Sequence, residues 1–250
     1  MKAIIIAAGL GSRLRPYTKS LPKSLVKIGS KTILEWQLKV FNALKINNIN
    51  LIIGYKKEKF KDKKLNFFLN KNFRNNNILE SLFCAKKILK NDCIISYSDI
   101  IFETNIVKKL KSSKSDISIL VDKNWKKIYK GRTKHPISQA ENVYFNKKLD
   151  LKKVGKNLGE KESNGEFIGM LKLSKKGCGI FKRYYRIAKL NYKNKKFFNA
   201  TSFKKAYLTD FFSYLLENNV KIKCVVIKNN WMEIDTVQDF KRAQNLFKTK

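Results

Sequence analysis

The sequence predicts an α/β protein with a mostly parallel central sheet and a small antiparallel excursion. Three observations carry that reading. The chain opens on an unbroken apolar run that closes on glycines; apolar runs then alternate with helix-period segments as far as Asp122; beyond it, polar alternation takes over without long helices.

Residues 2–8 (KAIIIAA) read as a buried parallel strand, because both faces are apolar and a Gly-rich turn follows. In residues 33–46, Ile33, Trp36, Leu38, Val40, Phe41 and Leu44 recur at near-helical spacing, and residues 49–55 form a second buried strand. A helix over 78–89 leads into a strand over 92–99, and a helix near 103–112 into a strand over 116–122. Strands alternating with helices imply right-handed crossovers. Residues 140–155 and 166–174 look like strands of an antiparallel excursion, spanning about 123–173, that lies over the main sheet. The tail returns to α/β texture, with helices near 174–190 and 203–218, a strand over 221–228 and a last helix over 236–247. Neither a repeat nor a linker interrupts the chain, so one domain over 1–250 is expected.

Composition narrows the class. At 43% hydrophobic and 12% aromatic residues the chain can fill a core, and 3 Pro with 11 Gly exclude collagen-like and low-complexity designs. The loud number is charge: 55 Lys and Arg against 19 Asp and Glu give +36. The excess is mainly Lys, spread along the chain beside much Ile and Asn, the trio that AT-rich codons supply. It reads as a solvated surface rather than a nucleic-acid footprint, and no Arg-Gly-Phe or helix-turn-helix pattern is present. Specific nucleic-acid binding is not expected. Cys84, Cys93, Cys178 and Cys224 form no CxxC pair and read as reduced core thiols. The first apolar run is too short to span a bilayer, so a cytoplasmic protein without membrane insertion is expected; an oligomer stays open.

Chemistry concentrates after the first strand, in Ala7-Ala8-Gly9-Leu10-Gly11-Ser12-Arg13-Leu14, followed by Leu21-Pro22-Lys23-Ser24-Leu25. Gly9 and Gly11 let backbone N–H groups approach a phosphate chain, and Arg13 and Lys23 add positive charge for the same anion. This is neither a Walker A loop nor GxGxxG, since Leu14 stands where the third Gly would be. Taken alone, the same residues could be a tight turn with two surface cations.

These residues resemble the AAGxGxR-L signature, with Pro-Lys downstream, of the nucleotidyltransferases that join a nucleoside triphosphate to a phosphorylated acceptor. Asn77, Leu79, Ser81 and Leu82 are similar to that family's helix start near the nucleotide base. Ser96-Tyr97-Ser98-Asp99-Ile100 is similar to its strand-end acid, with Ser98 replacing a common Gly. Trp231-Met232-Glu233-Ile234-Asp235-Thr236 is similar to its late W-x-E-I-D-T element. Between Asp122 and Gly169 the chain is most similar to the phosphocholine cytidylyltransferase-like branch.

The resemblance implies a Rossmann-like three-layer nucleotidyltransferase fold and a cytidylyltransferase that moves CMP from CTP to a small phosphorylated or phosphonate acceptor, supplying an activated head group. It assigns Ala7, Ala8, Gly9, Gly11, Ser12, Asn77, Ser81 and Tyr97 to the nucleotide and Lys23, Arg13, Asp99 and Asp235 to catalysis. Asp99 and Asp235 would hold Mg²⁺, with Glu233 a weaker candidate; the competing reading of Asp235 is an N-cap for the last helix. Lys156, with Lys153 competing, Glu166, Arg132 and Glu141 are assigned to the acceptor, and the Glu166 carboxylate could hold a cationic amine. Trp125, Tyr129 and Tyr144 could form a cation-binding cage or simply pack. An ionised acceptor needs no general base, so the single His135 reads as a loop residue. The alternatives are a sugar-1-phosphate uridylyl- or thymidylyltransferase and a non-catalytic basic nucleotide- or nucleic-acid-binding protein.

Overall fold

The computed structural model describes residues 1–159 and 161–247; residues 160 and 248–250 of the expected domain lie outside the described residues. The chain begins with β1 (Lys2–Ala7), then a long loop, the short hairpin β2 (Lys27–Ile28) and β3 (Lys31–Thr32), and α1 (Ile33–Ala43). Thr32 starts α1 through a capping box: its hydroxyl accepts from Glu35 N–H, and the Glu35 carboxylate accepts from Thr32 N–H. Next come β4 (Ile49–Ile53), β5 (Asn66–Leu69), α2 (Ile78–Phe83), β6 (Cys93–Tyr97), β7 (Ile100–Phe102), α3 (Thr104–Lys111), β8 (Ile117–Asp122) and α4 (Lys126–Tyr129). The chain continues through β9 (Asn142–Phe145), β10 (Leu151–Gly155), β11 (Gly165–Leu173), α5 (Lys175–Asn191), α6 (Leu208–Glu217), β12 (Lys223–Ile227), β13 (Trp231–Glu233) and α7 (Val237–Phe247).

β1 is central, parallel to β4 on one edge and β6 on the other, with β5 parallel beyond β4. Its side chains alternate between two cores. Ile4 and Ile6 pack under α2, α5 and α6, while Ala3 and Ile5 face α1 and α3, which makes three layers. Antiparallel β11 lies beside β6, and the parallel pair β8–β12 closes that side.

The excursion differs from its expected place. It does not lie over the sheet; it is part of one nine-stranded sheet. β11 pairs with β8 along one edge, and with β6 and then β9 along the other, and all nine of its residues are buried. Such a strand has neighbours on both faces and both edges, which places it inside the layer. The polar alternation of 140–155 comes from the β9–β10 hairpin, whose outer face carries exposed Tyr144, Lys152 and Lys153. The expected helix over 203–218 is a 3₁₀ turn at Phe203–Lys205 followed by α6.

Cys93, Cys178 and Cys224 are buried free thiols, as expected, whereas Cys84 is only half-buried. Among the described residues, no helix is long and apolar enough to cross a membrane. A second, two-stranded sheet of β7 and β13 positions the chemistry. It pairs Glu233 with Ile100 and lets Ile234 N–H donate to Asp99 C=O at 2.8 Å, bringing the late acids beside the strand-end acid.

Candidate active site

A cleft of about 360 Å³ opens at the carboxyl ends of β1 and β6, the edge where ligands collect on open α/β sheets. Ala7, Ala8, Gly9, Gly11 and Ser12 form one wall, Asn77 and Ser81 from the start of α2 another, and Tyr97 the floor. Gly11 adopts a left-handed φ of 61°, and its carbonyl accepts from the Thr18 hydroxyl at 2.8 Å, which fixes the turn. A Cβ on Gly9 would meet nothing within 4 Å; its backbone faces open space. The Asn77 side chain accepts from Ile78 N–H as the cap of α2, and the Ser81 hydroxyl donates to the Asn77 carbonyl.

The four expected catalytic residues converge. Lys23 Nζ lies 2.6 Å from Asp235 Oδ1 and 3.0 Å from Asp99 Oδ2. Burial alone would lower the lysine's pKa, but the charges of Asp99 and Asp235 outweigh it and hold the ammonium protonated well above its ordinary range. Burial likewise pushes the Asp235 carboxyl up, and Lys23, His135 and Arg13 together drive it far below the usual carboxylate range. Arg13 reaches Asp235 at 2.5 Å and the Gln139 side chain at 2.7 Å.

The helix-cap reading of Asp235 gives way to its neighbour. Thr236 Oγ1 accepts from Asp239 N–H, and Asp239 Oδ2 accepts from Thr236 N–H, so Thr236 and Asp239 cap α7 and leave the Asp235 carboxylate to the cleft. Asp99 Oδ1 is buried with no hydrogen-bond partner among the described residues. That orphan oxygen, with Asp235 and Glu233 beside it, is a hard-oxygen donor set that suits a cation such as Mg²⁺.

Sequence reasoning missed His135. It does sit in a loop, but it is buried, lines the cleft and places Nδ1 2.9 Å from Asp235 Oδ2. Its ring nitrogen, Glu233 and Asp235 bring three possible ligand atoms within 4.8 Å of one another. Only Lys134-His135-Pro136 marks it locally; the relation to Asp235 spans the chain. Gln139 and Tyr207 also line the cleft unannounced.

Arg132 is a correction. It does not line the cleft, because two acids take its guanidinium: buried Asp239 at 2.6 and 3.0 Å, and half-buried Glu233 at 2.8 Å. It locks the loop after α4 to α7 and steadies Glu233, whose pKa burial pushes up. The other acceptor candidates do gather at the far end of the cleft. Glu166 accepts from the Tyr129 hydroxyl through one carboxylate oxygen, and burial lifts its pKa well above the usual range. Glu141 accepts from Thr209 at 3.3 Å and Tyr97 at 3.4 Å; burial raises its pKa to about 7 against the opposing charge of Lys156. Lys156 Nζ stands 4.4 Å from the centre of the Tyr207 ring. Lys153, the competing lysine, is exposed and pairs with Glu162 at 3.4 Å.

The aromatic cage is not assembled. Trp125 packs in a separate cluster with Tyr129 and Ala140, Tyr144 is exposed on the hairpin, and only Tyr129 reaches the cleft.

Residues 2–127 match the family model described as nucleotidyl transferase. The chain is 33% identical over 253 residues to the CTP:phosphoglutamine cytidylyltransferase of Campylobacter jejuni, covering 96% of this chain and 97% of that protein. It is 39% identical over 107 residues to the choline-phosphate cytidylyltransferase of Streptococcus pneumoniae, covering 41% of this chain and 47% of that one. Two solved structures share the fold. The CTP:phosphocholine cytidylyltransferase from Streptococcus pneumoniae superposes with a TM-score of 0.70 at 21% identity, covering 98% of each chain. The inositol-1-phosphate CTP transferase from T. maritima gives 0.76 at 19% identity, covering 99% of this chain and 96% of that one. The glycine loop and the paired acids agree with the family model and with the relative aligned over nearly the whole chain, and the chain belongs to the nucleotidyl transferase family.

Proposed function

We propose that this protein is a cytidylyltransferase that moves CMP from CTP to a small phosphorylated or phosphonate acceptor and releases pyrophosphate. The observation that carries the reading is one cleft holding the Gly9–Gly11 loop and the Lys23–Asp99–Asp235 cluster at one end and Glu141, Glu166 and Lys156 at the other. CTP, rather than another nucleotide, is supported by the names of the relatives. The relative aligned over nearly its whole length favours a phosphorylated amide of an amino acid among the acceptors.

In the reaction, an acceptor phosphoryl oxygen attacks the α-phosphorus. A new P–O bond forms as the bond to the bridging oxygen breaks, and pyrophosphate leaves with that electron pair. The nucleophile is already ionised, so positioning and charge neutralisation carry the catalysis. The N–H groups around Gly9 and Gly11 accommodate the phosphate chain, Arg13 and the firmly protonated Lys23 offset its charge, and Lys156 faces the acceptor phosphoryl. Asp99 and Asp235, with Glu233 beside them, would hold Mg²⁺, which neutralises phosphate charge when bound.

The test is pyrophosphate release with Mg²⁺, crossing CTP, UTP, dTTP, ATP and GTP with phosphoglutamine, phosphocholine, 2-aminoethylphosphonate and glucose-1-phosphate. Turnover confined to CTP with an amine-bearing acceptor is expected. Turnover only with UTP or dTTP and the sugar phosphate would replace this reading with a sugar-nucleotide synthesis.

A further inference from the structure

The chain has a strongly positive surface, yet its cleft is acidic. Asp99, Glu141, Glu166, Glu233 and Asp235, five of only 19 acids, line it against three of the 55 basic residues, Arg13, Lys23 and Lys156. Asp99 and Asp235 are matched by Lys23 and Arg13. At the far end the balance is open. Glu166 is 4% exposed, one oxygen accepts from Tyr129, and the other is buried without a partner among the described residues. A buried carboxylate oxygen left in that state calls for a donor supplied from the cleft.

We infer that the Glu166–Glu141 end is a subsite for a primary ammonium group of the acceptor, and that it selects against a quaternary one. The inference rests on the cytidylyltransferase reading and narrows its acceptor class. A primary ammonium brings N–H donors that satisfy the orphan oxygen of Glu166 in a charge-assisted bond. A trimethylammonium group has no N–H to donate and depends on aromatic faces. Most of those faces are engaged: Lys156 sits over Tyr207 at 4.4 Å, the Arg132 guanidinium lies over Tyr129 at 5.2 Å, Tyr97 and Phe167 pack edge to face on each other, and Trp125 is outside the cleft. The acceptor is therefore a phosphorylated molecule with a free amine at its other end, such as an amino-acid derivative or an aminoalkyl phosphonate.

The experiment compares phosphoglutamine with its Nα-acetyl derivative, which keeps the phosphoryl group and loses the ammonium, and phosphoethanolamine with phosphocholine. Pyrophosphate release from CTP gives KM, and calorimetry gives acceptor binding in its own right. Acetylation or trimethylation is expected to raise KM and Kd about 10- to 100-fold. In Glu166→Gln that ratio should shrink toward unity; Glu141→Gln provides the same reading if the first variant fails to fold. Equal use of each pair, or a ratio that survives both substitutions, overturns the subsite. If no acceptor releases pyrophosphate while calorimetry still discriminates the pairs, the cytidylyltransferase reading fails and the ammonium subsite stands; calorimetry without discrimination overturns the subsite as well.

Discussion

Lys23 and Asp235 stand 212 positions apart in the chain, yet the lysine ammonium lies 2.6 Å from the carboxylate. The same ammonium reaches Asp99, so one half-buried cation holds two acids that would otherwise repel each other. Asp235 also keeps Arg13 and His135 as neighbours. Replacing Lys23 with Met should lower kcat/KM for CTP by about 100- to 1000-fold, since a preorganised charge at the phosphates is lost. It should also destabilise the fold by roughly 1–3 kcal/mol, below a full buried-pair loss because those partners remain. Mg²⁺ should then raise the melting temperature of the variant more than that of the parent. A melting temperature that ignores Mg²⁺ would remove Asp99 and Asp235 from the cation site.

How far the sequence discloses this site depends on the range of each contact. The Gly9–Gly11 turn is local, so adjacent residues announce it, and β1 reads as buried because both faces are apolar. Asp99 is legible as an acid just past a buried strand. Nothing local ties Arg132 to Asp239 or His135 to Asp235, and in a Lys-rich chain one more cation looks like surface. Orientation is equally silent: Trp125 and Tyr129 are close neighbours in sequence, but only Tyr129 reaches the cleft. The placement of β11 inside the sheet follows from pairing on both edges, which its apolar composition permits without specifying.

The two loop glycines should separate stability from binding. A Cβ on Gly11 would adopt φ of +61° and come within 3.0 Å of the Lys23 Cβ and 3.2 Å of the Thr18 Cγ2. Gly11→Ala should therefore lose roughly 1–2 kcal/mol of stability and disturb Lys23, lowering kcat. Gly9→Ala meets nothing in the protein, so its melting temperature should match the parent while the KM for CTP rises about 10-fold, because the methyl faces the phosphate path. Denaturant curves and nucleotide titrations of both variants check this; equal stability losses would contradict it.

Arg132 is expected to behave as a fastener. Its arm on Asp239 is buried, with half-buried Glu233 as the second partner, and cutting a buried pair costs about 3–5 kcal/mol. Arg132→Ala should thus lower the melting temperature by on the order of 10 °C. Arg132→Lys should rescue little, since one ammonium cannot span two carboxylates as a planar guanidinium does. An Arg132→Ala protein as stable as the parent, with only the acceptor KM raised, would return this residue to the acceptor site.

The acidic end of the cleft should make acceptor selection depend on pH. Glu141, raised to about 7 by burial, faces Lys156, Glu233, Asp210, Tyr97 and Thr209, with Glu166 across the same cleft. Below that pKa the carboxyl gains a proton and loses the charge that attracts an ammonium; above it the charge is present. The acceptor's phosphoryl group also titrates near neutrality, so the informative quantity is the KM ratio of Nα-acetylphosphoglutamine to phosphoglutamine, in which that titration cancels. The ratio should fall about 3- to 10-fold on going from about pH 8 to about pH 6. Glu141→Gln should flatten the profile at its low-pH value, because the amide carries no charge at either pH. A ratio independent of pH in the parent protein would show that Glu141 does not face the ammonium, and a slope that persists in Glu141→Gln would assign the titration to Glu166 instead.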